Sequence, residues 1–368
     1  MPLERTFQRG LMVSGYTKEA TYGAGVGAMT SSNSFGLEDF PNSALPQWDD
    51  MVAANNELVS HTELATHQEI VRQSVRFAYQ EDRLKVNTFA WLMGQVLGAP
   101  SATREGALIN AYRHHFVPTS STTLPSVVIQ DKHDNGAQYS YHGILAESVV
   151  LTGNSAFWQI RADLVGDGSR LTATDAIVAP VPERWLLWGH AHMYIEVTNG
   201  TPDTPGTPIT IPAVPVQGAS NLTGSIDLSP RIHTWEFNWT NNQQTDLGYR
   251  PGTGLLRQKF YPSRRMGRVT FEFDVDSTTE ATDLTMYLSQ QQLAIEMNLD
   301  SGRIIDTVNS GVWHWGVDII MPRVQLGRPT SGSRGEIDTL RFEGTIMDDR
   351  TNPAVVAYAW NGVPAYLV

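Results

Sequence analysis

Alternation of apolar and polar side chains at every second residue constrains this chain more than any other feature. A period of two fits a strand with one buried face and is incompatible with a stable helix. The stretch SVRFAYQED (74–82) puts Val75, Phe77 and Tyr79 on one side and Arg76 on the other. RVTFEFDVD (268–276) repeats the pattern 194 residues on, with Val269, Phe271 and Phe273. The first run reaches back to Ile70, with Val71 and Arg72 in step, and its parity slips around Ser74, where a bulge would fit. Between 108 and 167 the segments LINAYRHHFVP, SVVIQDK, QYSYHGILAESVVLTG and SAFWQIRADLVG read as further strands. So do SIDLSPRIHTWEFNWT, QLAIEMNL and the pair Val317–Leu326 and Ile337–Met347. A mainly β fold is expected.

Two segments break the period. EDRLKVNTFAWLMGQVLGAP spaces Leu84, Phe89, Leu92, Met93, Val96 and Leu97 as a helix does, and Gly98 with Pro100 supplies a stop. Thr278–Gln292 is a second helix candidate, with Leu284, Tyr287 and Leu288 on one side. The sequence then divides into an N-terminal arm and long loop (1–68), a first β domain (69–198), a Pro/Gly/Thr-rich linker or loop (199–225) and a second β domain (226–368). The apolar tail NPAVVAYAWNGVPAYLV is expected to dock. Further short matches keep the same order in each half: ESVVLTG (147–153) with PRVQLGR (322–328), and RADLVGD (161–167) with RFEGTIMD (341–348). This suggests two tandem copies of a mainly β domain of about 180 residues, each with one helix. Two copies of one fold in a chain fill two equivalent places in a ring, so fewer chains close it.

Composition narrows the function classes. A formal charge of −12 disfavours a nucleic-acid binder, which needs a basic footprint. It is compatible with a wall past which nucleic acid slides. With no cysteine there is no disulfide framework, thiolate metal site or thiol nucleophile. The N-terminal MPLERTFQRGLMVSGYTKEATYG lacks the apolar core of a signal peptide, and no run approaches a membrane span, so no membrane anchor and cytosolic folding are expected. Charged residues make up only 17% of the chain, fewer than usual, which suits surface destined for contact.

Catalytic constellations are not evident. His190 and His192 share a strand face with Glu196, but no third histidine lies near them, so they read as a structural pair. His114 and His115 fall on opposite strand faces, and Asp131, His133 and Asp134 precede an Asn135-Gly136 turn signal. No serine-nucleophile motif is present; GAGVG (23–27) has no strand feeding it, and GYRPGTG (248–254) lacks the Lys-Ser/Thr of a phosphate loop. Asp348-Asp349 and Glu81-Asp82 end strands. The expectation is a non-enzymatic protein with no catalytic residues, no cofactor and no metal ligands.

Four stretches, taken in order, resemble tailed-phage tail tube proteins of long non-contractile tails. They are YTKEATYGAG, SVRFAYQEDRLKVNTFAWLMGQVLG, RHHFVPTSSTTLPSVVIQDKHDNGAQYSYHGILAESVVLTG and VDIIMPRVQLGRPTSGSRGEIDTLRFEGTIMDD, together about half the chain; 170–260 matches none of the pattern. The resemblance implies a tube-like β-barrel or sandwich with a packed helix. It also implies rings of this chain, trimeric with pseudo-sixfold symmetry rather than hexameric, stacked into a tube for DNA ejection. The partners it implies are other copies of the chain, a tape-measure protein, tail terminator and tip proteins, and DNA in transit without sequence-specific binding. Its location would be the virion tail, after synthesis in the host cytoplasm. Within that reading, the candidates to line the channel are Glu147, Asp163, Glu272, Asp274 and Glu343. At a screening length of about 8 Å, acidic walls hold DNA near the axis. The polar connector GRPTSGSRGE offers Gly327, Arg328, Pro329, Arg334 and Glu336 as an inter-ring arm. The alternatives are another virion structural protein (baseplate, neck or decoration), or a carbohydrate-binding β-sandwich module suggested by the ten tryptophans.

Overall fold

A computed structural model describes residues 9–37, 46–48, 51–55, 67–121, 123–133, 138–154, 156–181, 183–200, 204–244, 248–249, 254–258, 260, 263–275, 291–308, 312–335, 337–348 and 350–368. The fold is mainly β, with half of the residues in strands and one α-helix among those described. The N-terminal part contributes β1 (Arg9–Val13), β2 (Phe35–Leu37), β3 (Gln47–Trp48), β4 (Met51–Asn55) and β5 (His67–Arg72). Next come β6 (Val75–Glu81), α1 (Val86–Leu97), β7 (Ser101–Arg104), β8 (Tyr112–Phe116), β9 (Val127–His133), β10 (Gln138–Asn154), β11 (Phe157–Gly166) and β12 (Leu171–Thr172). The remainder supplies β13 (Ala191–Gly200), β14 (Ile226–Asp227), β15 (Ile232–Thr240), β16 (Met266–Asp274) and β17 (Gln292–Ile304). Last are β18 (His314–Leu326), β19 (Thr330–Arg334), β20 (Ile337–Ile346) and β21 (Val356–Asn361).

The largest antiparallel layer, called here the front sheet, runs in the order β3–β6–β11–β10–β15–β16–β20–β19. Its alternation follows the sequence: Val75, Phe77 and Tyr79 of β6, Trp235, Phe237 and Trp239 of β15, and Val269, Phe271 and Phe273 of β16 are all buried. A second layer, the back sheet, runs β14–β13–β17–β18–β21–β8–β7. β18 joins the two layers, pairing with β21 through Gly316–Ile320 and with β20 through Val324–Leu326. β10 changes partners in the same way. Its first half pairs with β9, which carries β1 and β2, and its second half enters the front sheet. The switch falls at Gly143, whose φ of 61° suits glycine and whose missing Cβ leaves room for the Tyr22 ring.

Helix α1 lies in the core, and all twelve of its residues are buried. Such a helix gains its stability from packing rather than amphipathicity. Its N-terminus has no side-chain cap from Lys85; instead Glu183, from a distant loop, accepts the Asn87 N–H at 2.7 Å. Burial pushes the Glu183 carboxyl up to about 8.

Several sequence expectations need adjustment. The parity slip at Ser74 marks the end of one strand and the start of another, not a bulge: β5 pairs only with β4 in a separate two-stranded sheet. The second helix candidate lies outside the described residues except for its last positions, and Gln292 there begins β17. The Asn135-Gly136 turn also falls outside them, although β9 and β10 on either side pair as a hairpin. The strands on either side of 199–225 share sheets, because β10 pairs with β15, β13 with β17 and β8 with β21. The described part of that segment lies on the back sheet, with Ile209 and Leu222 buried beside Ala294, Ile320 and Val356. Strand pairing does follow the internal repeat. β6 neighbours β11 and β11 neighbours β10; likewise β16 neighbours β20 and β20 neighbours β18.

The tail docks through β21 and the buried Tyr366 and Leu367. His114 locks it, with Nε2–H facing the Val363 carbonyl at 2.9 Å and Asn361 Oδ1 at 3.1 Å. Nδ1 is buried without an acceptor, so a second proton there is costly, and burial pushes His114 down to about 4. In the unfolded chain the residue titrates near 6.5, so over that window the unfolded state binds more protons. Stability is therefore expected to fall as pH drops from 6.5 toward 4, by on the order of 3 kcal/mol from this residue. Denaturant melts of wild type and His114→Gln over that range check it, the variant having a flatter profile. Phe271 stacks on Phe342 at 5.5 Å in the core, and Phe271→Ala is expected to cost about 3–5 kcal/mol in the same assay.

Candidate assembly surface

The front sheet has a second face, which is open except at one end, where Leu145 and Val165 are buried against Phe260. Period two sends the residues between the buried ones outward, and cross-strand register aligns them in rows. One row runs Gln80, Arg161, Val150, Asn238, Arg268, Thr345. The next runs Gln159, Thr152, Glu236, Thr270, Glu343, and a third joins Asn154, Thr234, Glu272 and Arg341. A fourth runs Ala78, Asp163, Ser148, Thr240. The result is a broad polar carpet backed by an aromatic core.

All five carboxylates proposed from the sequence lie on this face. Asp163, Glu272, Asp274 and Glu343 reach it by strand parity, and Glu147 reaches it through the irregularity between Ala146 and Ser148. Asp163 accepts from Ser148 Oγ at 2.8 Å, and Glu272 accepts from Thr339 Oγ1 at 2.9 Å. Asp274 holds His233 Nε2. Four arginines on the same face were missed: Arg76, Arg161, Arg268 and Arg341. Their signal was present, since Arg161 precedes Asp163 and Arg341 precedes Glu343 by two residues, hence on one face. Arg268 pairs with Glu343 at 3.2 Å and Arg76 with Glu147 at 3.8 Å. With Glu236, the face presents six carboxylates to four guanidiniums among the described residues, a mixed lattice with a mild acidic excess.

The connector proposed as an arm is, for the most part, a strand. Thr330–Arg334 forms β19, which folds back on β20 in register from Thr330 opposite Arg341 to Arg334 opposite Ile337. Gly327 and Arg328 are exposed and Pro329 half-buried ahead of it; Glu336 lies outside the described residues. β19 forms one border of the front sheet, and its other edge has no strand partner among the described residues. At the opposite border, β3 covers only Val75 and Arg76 of β6. Among the described residues, the sheet therefore ends in edges without a full strand partner on both sides, and such an edge is a template for pairing with another chain.

The described histidines form no shared centre. His192 stacks against Tyr194, His115 stacks on Tyr358 with centroids 4.9 Å apart, and His114 is committed to the tail. Among the described residues, no group of three or more His, Cys, Asp or Glu is arranged to hold a metal ion. Among the described residues, no helix is long and apolar enough to cross a membrane. No family model matches the chain, and no curated protein matches it.

Open-face side chains make few contacts with the rest of the monomer, and exposed ion pairs contribute little. Glu343→Gln and Asp163→Asn are each expected to shift unfolding free energy by less than about 0.5 kcal/mol, as measured by denaturant titration.

Proposed function

We propose that this chain is a tail tube protein that assembles as stacked rings into the conduit through which phage DNA is ejected. The observation that carries the reading is the eight-stranded front sheet, polar over most of its open face, with the outer edge of β19 and most of the outer edge of β6 unpaired by strands among the described residues. Joining the β19 border of one copy to the β6 border of the next satisfies both edges and continues the sheet. Its polar face then lines a channel and its core face stays covered.

The repeat supports a ring of three. Each chain carries two similar strand trios, so three chains give pseudo-sixfold symmetry. Three such sheets make a barrel of roughly 24 strands. At about 4.8 Å spacing and about 40° tilt its backbone diameter is on the order of 45–50 Å, wide enough for a DNA duplex. The mixed charge lattice with a mild acidic excess supports passage of DNA without retention, since fixed carboxylates repel phosphate and the arginines are partly neutralised by neighbours. Glu147, Asp163, Glu272, Asp274 and Glu343 would line that channel. Gly327, Arg328 and Pro329 would stand at the ring border. A tape-measure protein inside, and terminator and tip proteins at the ends, complete the assembly, which belongs to the virion tail and performs no catalysis.

Electron microscopy of the concentrated, purified chain across a range of salt tests this. Hollow stacked rings with three subunits each are expected; a monodisperse monomer under every condition overturns the reading. Proline at Ser331 or at Gly332 refines it. Consecutive residues of a strand point their N–H groups to opposite edges, so one of the two substitutions removes a donor from the free edge. That variant is expected to remain folded by circular dichroism and to lose tube formation.

A further inference from the structure

The segment 204–224 crosses the outer face of the back sheet as a strap, and its deepest anchor is a pair of acids. Glu296 on β17 and Asp318 on β18 are both fully buried. Asn298 stands opposite Asp318, so Glu296 is its diagonal neighbour on the same face. The strap supplies donors to both. Asn221 N–H donates to both Glu296 oxygens at 3.0 and 2.8 Å, and Ser220 Oγ donates to Oε2 at 3.0 Å. The Asn221 amide nitrogen bridges Glu296 Oε1 at 2.9 Å and Asp318 Oδ2 at 3.0 Å. Its orientation is fixed, because Asn221 Oδ1 accepts Val216 N–H at 2.7 Å. Asp318 Oδ1 is buried and receives no hydrogen bond, while the Asp318 carboxyl lies within hydrogen-bonding reach of Glu296.

Among the described residues, no cation forms an ion pair with either acid. The groups facing it are His192 and Tyr194 on β13, Asp227 on β14, Tyr358 on β21, and Arg113 and His115 on β8. Tyr194 and Tyr358 are held neutral by burial and by the acids themselves, Arg113 is engaged by Glu105 at 3.3 Å, and burial pushes His115 down. Neither carboxyl forms an ion pair among the described residues. Two uncompensated carboxylates cannot both be ionised in a dry site. The burial of Asp318, and then the charge of Glu296 beside it, push it well above the usual carboxyl range.

We propose that Glu296 and Asp318 share a single proton, and that this proton latches the strap 204–224 onto the back sheet. Asp318 carries it and donates to Glu296, which is left as the acceptor for Asn221 and Ser220. Docking raises the affinity for the proton, so the latch is complete at low pH and weakens as pH rises through the docked-state value. Two buried negative charges then draw in water, and the strap lifts at Val216–Leu222. Lifting uncovers Ala294, Ile320, Val356 and Trp360, an apolar patch that the strap otherwise covers.

Hydrogen exchange of the full-length chain from about pH 6 to about pH 9, corrected for intrinsic rates, tests the proposal. Protection of the strap amides is expected to fall by up to about tenfold per pH unit once release begins, while β16 amides keep theirs. Asp318→Asn, whose amide donates at every pH, should remove that dependence, as should Glu296→Gln, while His192→Gln keeps the wild-type profile. Strap protection that is flat with pH in the wild type, or the same profile in Asp318→Asn, overturns the latch. Infrared spectroscopy of the wild-type chain decides independently of whether the variants fold. A buried protonated-carboxyl band present at neutral pH and lost together with strap protection supports the shared proton, and its absence at neutral pH refutes it.

Discussion

The pairing of β10 with β15 is the constraint on which the rest of this molecule depends. Seven residue pairs, Ser148–Asn154 against Thr234–Thr240, join strands from the two halves of the sequence. Beneath them Trp158 meets Trp235 with centroids 5.3 Å apart, and Trp188 tilts over Trp158 at 5.2 Å. Gly153 makes room for this, since a Cβ there would stand 2.4 Å from the Trp188 ring. Large aromatic surfaces buried at the seam contribute more than hydrogen bonds exchanged with water. The two halves therefore share a core, and the front sheet is continuous rather than two sheets meeting at a hinge.

A continuous sheet with a covered apolar face leaves its other face to solvent. That face must be polar to stay soluble, yet a strand row of one charge sign is destabilising, because like charges opposite one another repel. The alternation of Arg161, Arg268 and Arg341 with Asp163, Glu272 and Glu343 resolves both demands. It lets a wide sheet exist in an isolated subunit without requiring a partner on that face. The borders differ: β19 is short, exposed and rich in Ser, Thr and Gly, a composition that keeps a free edge from aggregating while leaving its backbone available.

Much of this was legible in the sequence because the period of two reports directly on which face of a strand is buried. Val75, Phe77 and Tyr79, and their counterparts Val269, Phe271 and Phe273, fell where parity put them, and so did α1 over its buried run. Candidate carboxylates could be chosen by strand and parity, but not joined onto one face, because that step needs cross-strand register. Arg161, Arg268 and Arg341 share parity with an acid of their own strand, so only Arg76 needed register. GRPTSGSRGE read as an arm because Gly, Pro and Ser signal loops, whereas its middle is held extended by backbone bonds to β20 that no composition reveals. The strap read only as a linker or loop, for a similar reason. Proline and glycine break regular structure, but they do not say whether the broken segment is free or packed, and only the buried acids beneath it settle that.

Those acids occupy a place where apolar residues would be simpler. β17 is buried along most of its length, and replacing a buried polar pair by a hydrophobic one is often neutral or stabilising. What an apolar pair cannot do is bind the strap by donors in one register. Asn221 reaches Glu296 and Asp318 only if the chain from Val216 to Leu222 takes one path, so the polar anchor specifies where an otherwise irregular segment lies. The front sheet needs no such device, because strand pairing sets its register. Where backbone pairing runs out, buried side-chain chemistry takes over, and in this chain it does so through groups whose charge depends on pH.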